Sequence, residues 1–267
     1  LSPAGMVLWT APHGGRDVAG DTNGHAYLTG YRTDDIALLK LDATAGTNVW
    51  ERLHDGPVHL GDLGRVVSVD QAQDVYVLGS ETWYVDMRGG QYQRLALARY
   101  SLDGSLVWYR SPLIGNTLMP QDVRRMLPAL GGGVVFSGNL SLDFDTYSVL
   151  PSGVLAWRYA SDYDSRSPGI TAMVLSPNGE IIMTGGDPYG DYPNTTFISF
   201  ALESNGHHRW QARHPVLPVP PELAGGHAGR AVTHDPQTGL VMVTGIRGLA
   251  WGVTTLVTVA YEHATGR

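Results

Sequence analysis

Gly46-Thr47-Asn48-Val49-Trp50 is one copy of a spacing that recurs through the chain: Gly5 to Trp9, Gly104 to Trp108, Gly153 to Trp157 and Gly206 to Trp210. Each reads G-x-x-x-W, usually with apolar residues between, as in Gly5-Met6-Val7-Leu8-Trp9. A second signature, an apolar run ending in glycine, also occurs five times. It reads Ala26-Tyr27-Leu28-Thr29-Gly30, Val75-Tyr76-Val77-Leu78-Gly79, Val134-Val135-Phe136-Ser137-Gly138, Ile181-Ile182-Met183-Thr184-Gly185 and Val241-Met242-Val243-Thr244-Gly245. Five copies of each make an internal repeat with a period of about 53 residues.

Every unit reads as four strands. Strand A is typified by Val66 to Val69, strand B by the apolar-to-glycine run, strand C by Leu95 to Tyr100, and strand D carries the tryptophan. Tight turns join A to B (Asp21-Thr22-Asn23-Gly24, Ser176-Pro177-Asn178-Gly179) and C to D (Leu102-Asp103-Gly104, Pro151-Ser152-Gly153). Asn, Asp and Pro start such turns, and glycine supplies the positive φ that closes them. Four strands at this period predict an all-β fold, a five-bladed β-propeller of four-stranded antiparallel blades. The chain stops at Ala264-Thr265-Gly266-Arg267, inside a C-to-D turn, and starts with an orphan strand D. The expectation is a single domain over residues 1–267, its ring closed by the N-terminal strand, Met6 to Thr10. Closure removes two free sheet edges. The competing reading is an excerpt cut in phase from a longer array.

Composition agrees. Of 267 residues 43% are hydrophobic and 16% charged, and 34 are glycine. Ample apolar material with abundant turn residues suits many short strands. A formal charge of −7 argues against nucleic acid, whose phosphates need a basic surface. Without cysteine there are neither disulfides nor thiolate metal sites, and no apolar run reaches the ~20 residues of a membrane span. The single lysine, Lys40, carries no mechanistic weight at this level. A chain that begins at Leu1 fits a processed or excised piece, and the composition leans to an extracytoplasmic setting (secreted, periplasmic or cell-surface).

Asp21-Thr22-Asn23-Gly24-His25-Ala26-Tyr27-Leu28-Thr29-Gly30-Tyr31 resembles the D-x-x-G-N-x-Y-V-T-G-Y core of bacterial SBBP β-propeller repeats. Leu41-Asp42-Ala43-Thr44-Ala45-Gly46 through Trp50-Glu51 is similar to the L-D-A-x-T-G…W-E stretch of PQQ-like quinoprotein repeats. What these resemblances imply is a fold, since the motifs are turn and core motifs. The quinoprotein cofactor site uses an adjacent cysteine pair, which this chain lacks, so no cofactor is expected.

Propeller topology sorts the loops. A-to-B and C-to-D turns share one face and are short; B-to-C and D-to-A connections share the other and are long, among them Glu51 to Gly64, Ser80 to Arg94 and Gln211 to Gly229. Binding is expected on the long-loop face, around the central channel. Aligned on the strand-B glycines, Arg16, Arg65, Arg124, Thr171 and Arg230 share the register where strand A begins. Arginines there form either an anion-binding collar or an inherited structural tie. Three residues earlier stand His13, Asp62, Gln121, Pro168 and His227. His227, His13 and Asp62 would fall on consecutive blades and admit a metal or acid–base reading, though equal register does not guarantee convergence. Asp17 has no counterpart in other blades and could neutralise Arg16. The long loops also carry Tyr31, Trp83, Tyr84, Phe144, Tyr189, Tyr192 and Trp251, ring types that suit sugars or partner side chains. The five repeat tryptophans are expected in the core.

The leading expectation is a non-catalytic, monomeric binding module for a glycan, a small anionic ligand or a protein partner. Its site residues would be Arg16, Arg65, Arg124, Arg230, His13, Asp62, His227, Trp83, Tyr84, Tyr189 and Trp251, with no metal. The enzymatic alternative is a glycoside hydrolase or lyase, which needs two converging carboxylates. Asp17, Asp62, Glu81, Asp86 and Asp122 are the available suppliers, and no spacing singles out a pair. A third reading is a structural repeat segment of a larger surface protein.

Overall fold

Alternating buried and exposed residues, punctuated by glycine turns, fold each repeat into an antiparallel sheet. The computed structural model describes residues 6–111, 113, 123–138, 145–160, 169–187, 196–214, 227–248 and 254–267. The first sheet holds β1 (Asp17–Gly20), β2 (Ala26–Arg32), β3 (Asp35–Leu41) and β4 (Asn48–His54). The second holds β5 (Leu63–Val69), β6 (Val75–Val85), β7 (Gln91–Tyr100) and β8 (Leu106–Arg110). The third holds β9 (Val123–Pro128), β10 (Val134–Gly138), β11 (Asp145–Val149) and β12 (Leu155–Ala160), and the fourth β13 (Gly169–Leu175), β14 (Ile181–Asp187), β15 (Thr196–Leu202) and β16 (His208–His214). The last comprises β17 (His227–Asp235), β18 (Leu240–Gly248) and β19 (Thr254–Glu262). Strands neighbour one another in chain order in every sheet. The architecture is all-β, as the repeat predicts, and no helix among the described residues is long and apolar enough to cross a membrane.

The chain divides into two compact units, Leu1–Val134 with Leu150–Val154, and Val135–Val149 with Leu155–Arg267. In the first unit, Tyr27, Ile36 and Leu38 of the first sheet pack on Val67, Val75, Val77, Ala98 and Tyr100 of the second. In the other, Ile182, Ala201, Trp210 and Ala212 pack on Val241, Val243 and Tyr261. The core thus lies between sheets, which is why the central strands read as near-continuous apolar runs. Backbones approach closely where strand A of one sheet meets strand B of the one before. A Cβ on Gly64 would strike Thr29, and one on Gly229 would strike Thr184.

The repeat tryptophans do something more specific than fill a core. Trp9, Trp50, Trp108 and Trp157 are half-buried, and only Trp210 is buried. They sit on or beside outer strands. Each ring lies against the glycine of the C-to-D turn in the sheet that follows: Gly46, Gly104, Gly153, Gly206 and Gly266 respectively. Each indole Nε1–H donates to a carbonyl of that same turn: Ala43 at 3.0 Å, Leu102 at 3.4 Å, Pro151 at 2.8 Å, Ser204 at 3.0 Å and His263 at 2.7 Å. All five glycines have φ between +64° and +87°. Glycine is therefore required twice over, by backbone conformation and by the ring on top of it.

Met6 to Thr10, expected as the fourth strand of the last sheet, carries no ladder pairing among the described residues, and that sheet is described with three strands. Its Trp9 nonetheless makes the same contact as the other four tryptophans. Lys40, given no weight from composition, is 5% exposed. It lies over the Tyr27 ring at 5.1 Å, 3.6 Å from Asp21 and 3.4 Å from the Leu102 carbonyl. Arg99 has the corresponding role in the second sheet, bonding Asp74 at 2.5 Å and the Pro151 carbonyl at 2.6 Å.

The tryptophan contact is testable with two glycines of matched backbone. Gly104 (φ +83°) lies under Trp50, whereas Gly131 (φ +87°) has open space at its Cβ position. Gly131→Ala should cost about 1–2 kcal/mol in urea unfolding, the left-handed backbone penalty. Gly104→Ala should cost about 1–3 kcal/mol beyond that, because the ring must move. Equal costs would show that the indole does not press on the turn.

Candidate functional site

One structural element stands apart on the long-loop face of the first unit. Ser80 to Arg94, expected as a B-to-C loop, is instead a continuation of β6 and β7 into a projecting hairpin. Thr82-Trp83-Tyr84-Val85 is built from β-branched and aromatic residues, which favour extended backbone. The tip turns at Asp86-Met87-Arg88-Gly89-Gly90. Asp86 accepts the backbone N–H of Arg88 and of Gly90, each at 2.8 Å, and Gly89 sits at φ +81°. Those two donors hold the Asp86 carboxyl below its ordinary range.

A β-bulge falls between Thr82 and Tyr84, so Trp83 is the extra residue opposite no partner. Successive strand residues point to opposite faces, but a bulge re-aims one of them. Trp83 thereby comes beside Tyr84, with ring centroids 5.7 Å apart, and Tyr84 faces its cross-strand partner Tyr92 at 5.6 Å. The three rings are 37%, 47% and 50% exposed for Trp83, Tyr84 and Tyr92. They make a continuous aromatic strip held on paired strands, with successive ring planes tilted by 39° and 45°.

The base of the hairpin is a buried polar knot. Glu81, 1% exposed, lies opposite Arg94 and accepts from its Nε at 2.6 Å. The Tyr109 and Ser111 hydroxyls also donate to Glu81, and His54 Nε2, whose ring stacks on Tyr109 at 3.8 Å, stands 3.9 Å away. Burial, and then the bond to Glu81, push the Tyr109 hydroxyl far above its usual range, so it stays a donor. Arg94 also lies over the Trp83 ring, 5.9 Å from its centroid. On the other side Asp62, 2% exposed, accepts from Gly56 N–H at 2.5 Å and Thr82 N–H at 2.8 Å. Burial raises the Asp62 carboxyl above the usual carboxylate range, against the pull of those donors.

The structure thus singles out the carboxylate pair that spacing could not. Asp62 and Glu81 are close enough for the Glu81 charge to add to the upward push on Asp62. Both are sealed and engaged with the protein's own donors. As placed, they anchor the hairpin to its sheet and to the preceding loop. Asp17, expected to neutralise Arg16, instead accepts the Val67 backbone N–H at 2.9 Å and ties β1 to β5.

Part of the arginine register coincides with bulges of strand A. Arg65, Thr171 and Arg230 each fall at a register shift of strand A, between Gly64 and Val66, Ile170 and Ala172, and Gly229 and Ala231. Arg65 donates from Nε to Ser80 Oγ at 3.2 Å, where the hairpin leaves its sheet, and the Thr171 hydroxyl bonds the Gly229 carbonyl. Arg16 and Arg230 are exposed; Arg124 belongs to β9, and its side chain lies outside the described residues. His13 is exposed and lines a cleft of about 240 Å³ with Tyr31, Arg32 and Glu51, among other residues. Asp62 is not in that cleft, so His13 and Asp62 are not brought together there. The His227 side chain, Asp122, Phe144, Tyr189, Tyr192 and Trp251 lie outside the described residues. Among the described residues no group of three His, Asp or Glu is arranged to hold a metal.

Sequence reasoning placed Trp83 and Tyr84 but missed Tyr92, Arg94 and the strand character of the hairpin. The signal was present. Asp21 receives the hydroxyl of Tyr27 and Asp70 that of Tyr76, six residues on in both turns, and Asp86 with Tyr92 repeats the device at 3.4 Å.

No protein-family model and no curated protein matches this chain. Among solved structures it is similar to a protein of unknown function from Bacteroides caccae, at 11% identity over 94% of this chain and 79% of that one, with a TM-score of 0.51. It is also similar to a quinohemoprotein alcohol dehydrogenase from Pseudomonas putida, at 11% identity over 92% of this chain and 50% of that one, with a TM-score of 0.54. At such identities the likeness is one of fold: the chain is a β-propeller.

The raised Asp62 carboxyl makes a signed prediction. It takes up its proton at higher pH in the folded chain than in the unfolded one. Its contribution to stability is therefore full below the ordinary carboxylate range and is lost as pH rises through the folded value. Asp62→Asn does not titrate. Urea titrations from about pH 7 to about pH 4 should show wild type gaining on Asp62→Asn as pH falls. A gap that is constant, or that moves the other way, would contradict this assignment.

Proposed function

We propose that this propeller is a ligand-binding module whose binding surface is the aromatic face of the β6–β7 hairpin, and that its ligand is a polysaccharide chain. The observation that carries the reading is the exposed strip of Trp83, Tyr84 and Tyr92 on strand-paired backbone. Exposed rings lose apolar surface to water when a sugar face stacks on them, and two-torsion aromatic side chains lose little entropy in doing so. The strip is also supported from behind. Glu81 fixes Arg94, and Arg94 covers Trp83. Rings held in this way reach a ligand with little reorganisation.

The same knot weighs against a glycosidase reading. General acid–base or nucleophilic work needs a carboxylate within reach of the scissile bond. Asp62 and Glu81 are buried and occupied, and Asp86, which accepts from the Tyr92 hydroxyl, is held by the tip turn. Arg65 is assigned to the supporting edge of the site through Ser80.

The test is affinity electrophoresis in gels containing individual soluble polysaccharides, with circular dichroism to verify folding. Retardation of the wild type by at least one polymer is expected. The Arg65→Ala/Trp83→Ala double variant should lose about tenfold or more in affinity, as for an anchor residue of an interface. A folded double variant with unchanged retardation would rule out the hairpin as the binding surface.

A further inference from the structure

We infer that the strip selects uncharged polysaccharide chains and rejects acidic ones. This rests on the reading of the hairpin as a carbohydrate surface and narrows its ligand class.

The charges of the hairpin cancel locally. From Ser80 to Arg94 the ionisable groups of fixed charge are Glu81, Asp86, Arg88 and Arg94. Arg94 lies over Trp83, and its Nε is already bonded to Glu81 at 2.6 Å. Asp86 is occupied by the turn it closes, and Arg88 stands two residues from it at the tip. Arg65, at the base, is engaged with Ser80. A uronate or sulfate bound on the rings would need a cation to replace its lost hydration. A polyanion drawn to the remaining N–H groups of Arg94 would have to share that counter-charge with the buried Glu81, which weakens what an exposed ion pair returns.

The remaining polar groups suit hydroxyls. Gln91 and Gln93 lie along the hairpin, with Gln93 donating to the Gly61 carbonyl at 3.2 Å. Tyr84 and Tyr92 add phenolic groups at the strip itself. Amides and phenols both donate and accept, as sugar hydroxyls do. Two scales of charge point the same way. The strip offers no net positive site, and the chain as a whole carries −7, which repels polyanions at long range. The 39° and 45° tilts between successive rings further make the strip a twisted surface, suited to one chain rather than to a flat array of chains.

The experiment titrates the full chain with neutral polymers (mixed-linkage β-glucan, galactomannan, dextran) and acidic ones (polygalacturonate, alginate, chondroitin sulfate) by calorimetry. Titrations are run at about 20 mM and about 300 mM NaCl, which spans strong and weak screening. The expected result is binding to at least one neutral polymer, unchanged within about twofold between the two salt levels, and no binding to the acidic set. Trp83→Ala and Tyr92→Ala should each weaken neutral binding by about tenfold, while Trp83→Phe retains most of it. Acidic polymers that bind at low salt, weaken at high salt and are lost in Trp83→Ala would overturn the selectivity while leaving the binding surface in place. Absence of binding to every polymer at both salt levels would overturn the surface and the selectivity together.

Discussion

A tryptophan ring lying on a turn glycine is the contact on which the rest of this structure depends. Hydrogen bonds within a sheet stabilise that sheet but say nothing about the next. What joins successive repeats is apolar packing between sheet faces, which is non-directional. The indole adds direction. Its ring fits only where no Cβ intervenes, and its N–H must meet a carbonyl of the same turn, as Trp108 does at Gly153 and Pro151. An outer strand is thereby held in one position against the neighbouring turn. Lys40 and Arg99 repeat the registration along the same seam, donating across it to the Leu102 and Pro151 carbonyls.

A scaffold fixed in this way can carry an irregular element without losing order. The β6–β7 hairpin continues paired strands instead of interrupting them, so its rings inherit the rigidity of the second sheet. Its departures from regular geometry are local: one bulge at Trp83 and one tight turn at Asp86. Asp62 and Glu81 then fasten it from either side, each using its full set of neighbouring donors. Burying two carboxylates is costly unless those donors are present. Their placement at the base of one hairpin ties that cost to a single region of the molecule, the aromatic strip.

Several sequence expectations changed meaning once neighbours were known. Arg65 and Arg230 of the arginine register fall at a bulge of strand A, as does Thr171, whose hydroxyl bonds the Gly229 carbonyl. Asp17 turned from a counter-charge for Arg16 into an acceptor for the Val67 N–H. Four of the five tryptophans moved from the core to the seam, half-buried on or beside outer strands, whereas Trp210 lies in the core as expected. Each correction concerns a partner fifty or so residues away along the chain, or a side of a strand that local pattern does not specify.

By itself the sequence determined what local chemistry can dictate. It set the five repeats, the order of their central strands, the tight turns and the identity of the seam residues. A tight turn at positive φ favours glycine, and an apolar run that leads into such a turn favours a strand. It also placed Trp83 and Tyr84 away from the core. Only the tertiary structure decided that Trp83 turns beside Tyr84, that Tyr92 completes the strip, and that Asp62 and Glu81 come together beneath it. Those facts depend on strand register and on the approach of separate loops. A one-residue bulge changes which way a ring points while leaving the apolar pattern almost untouched, so no reading of the pattern alone could have fixed it.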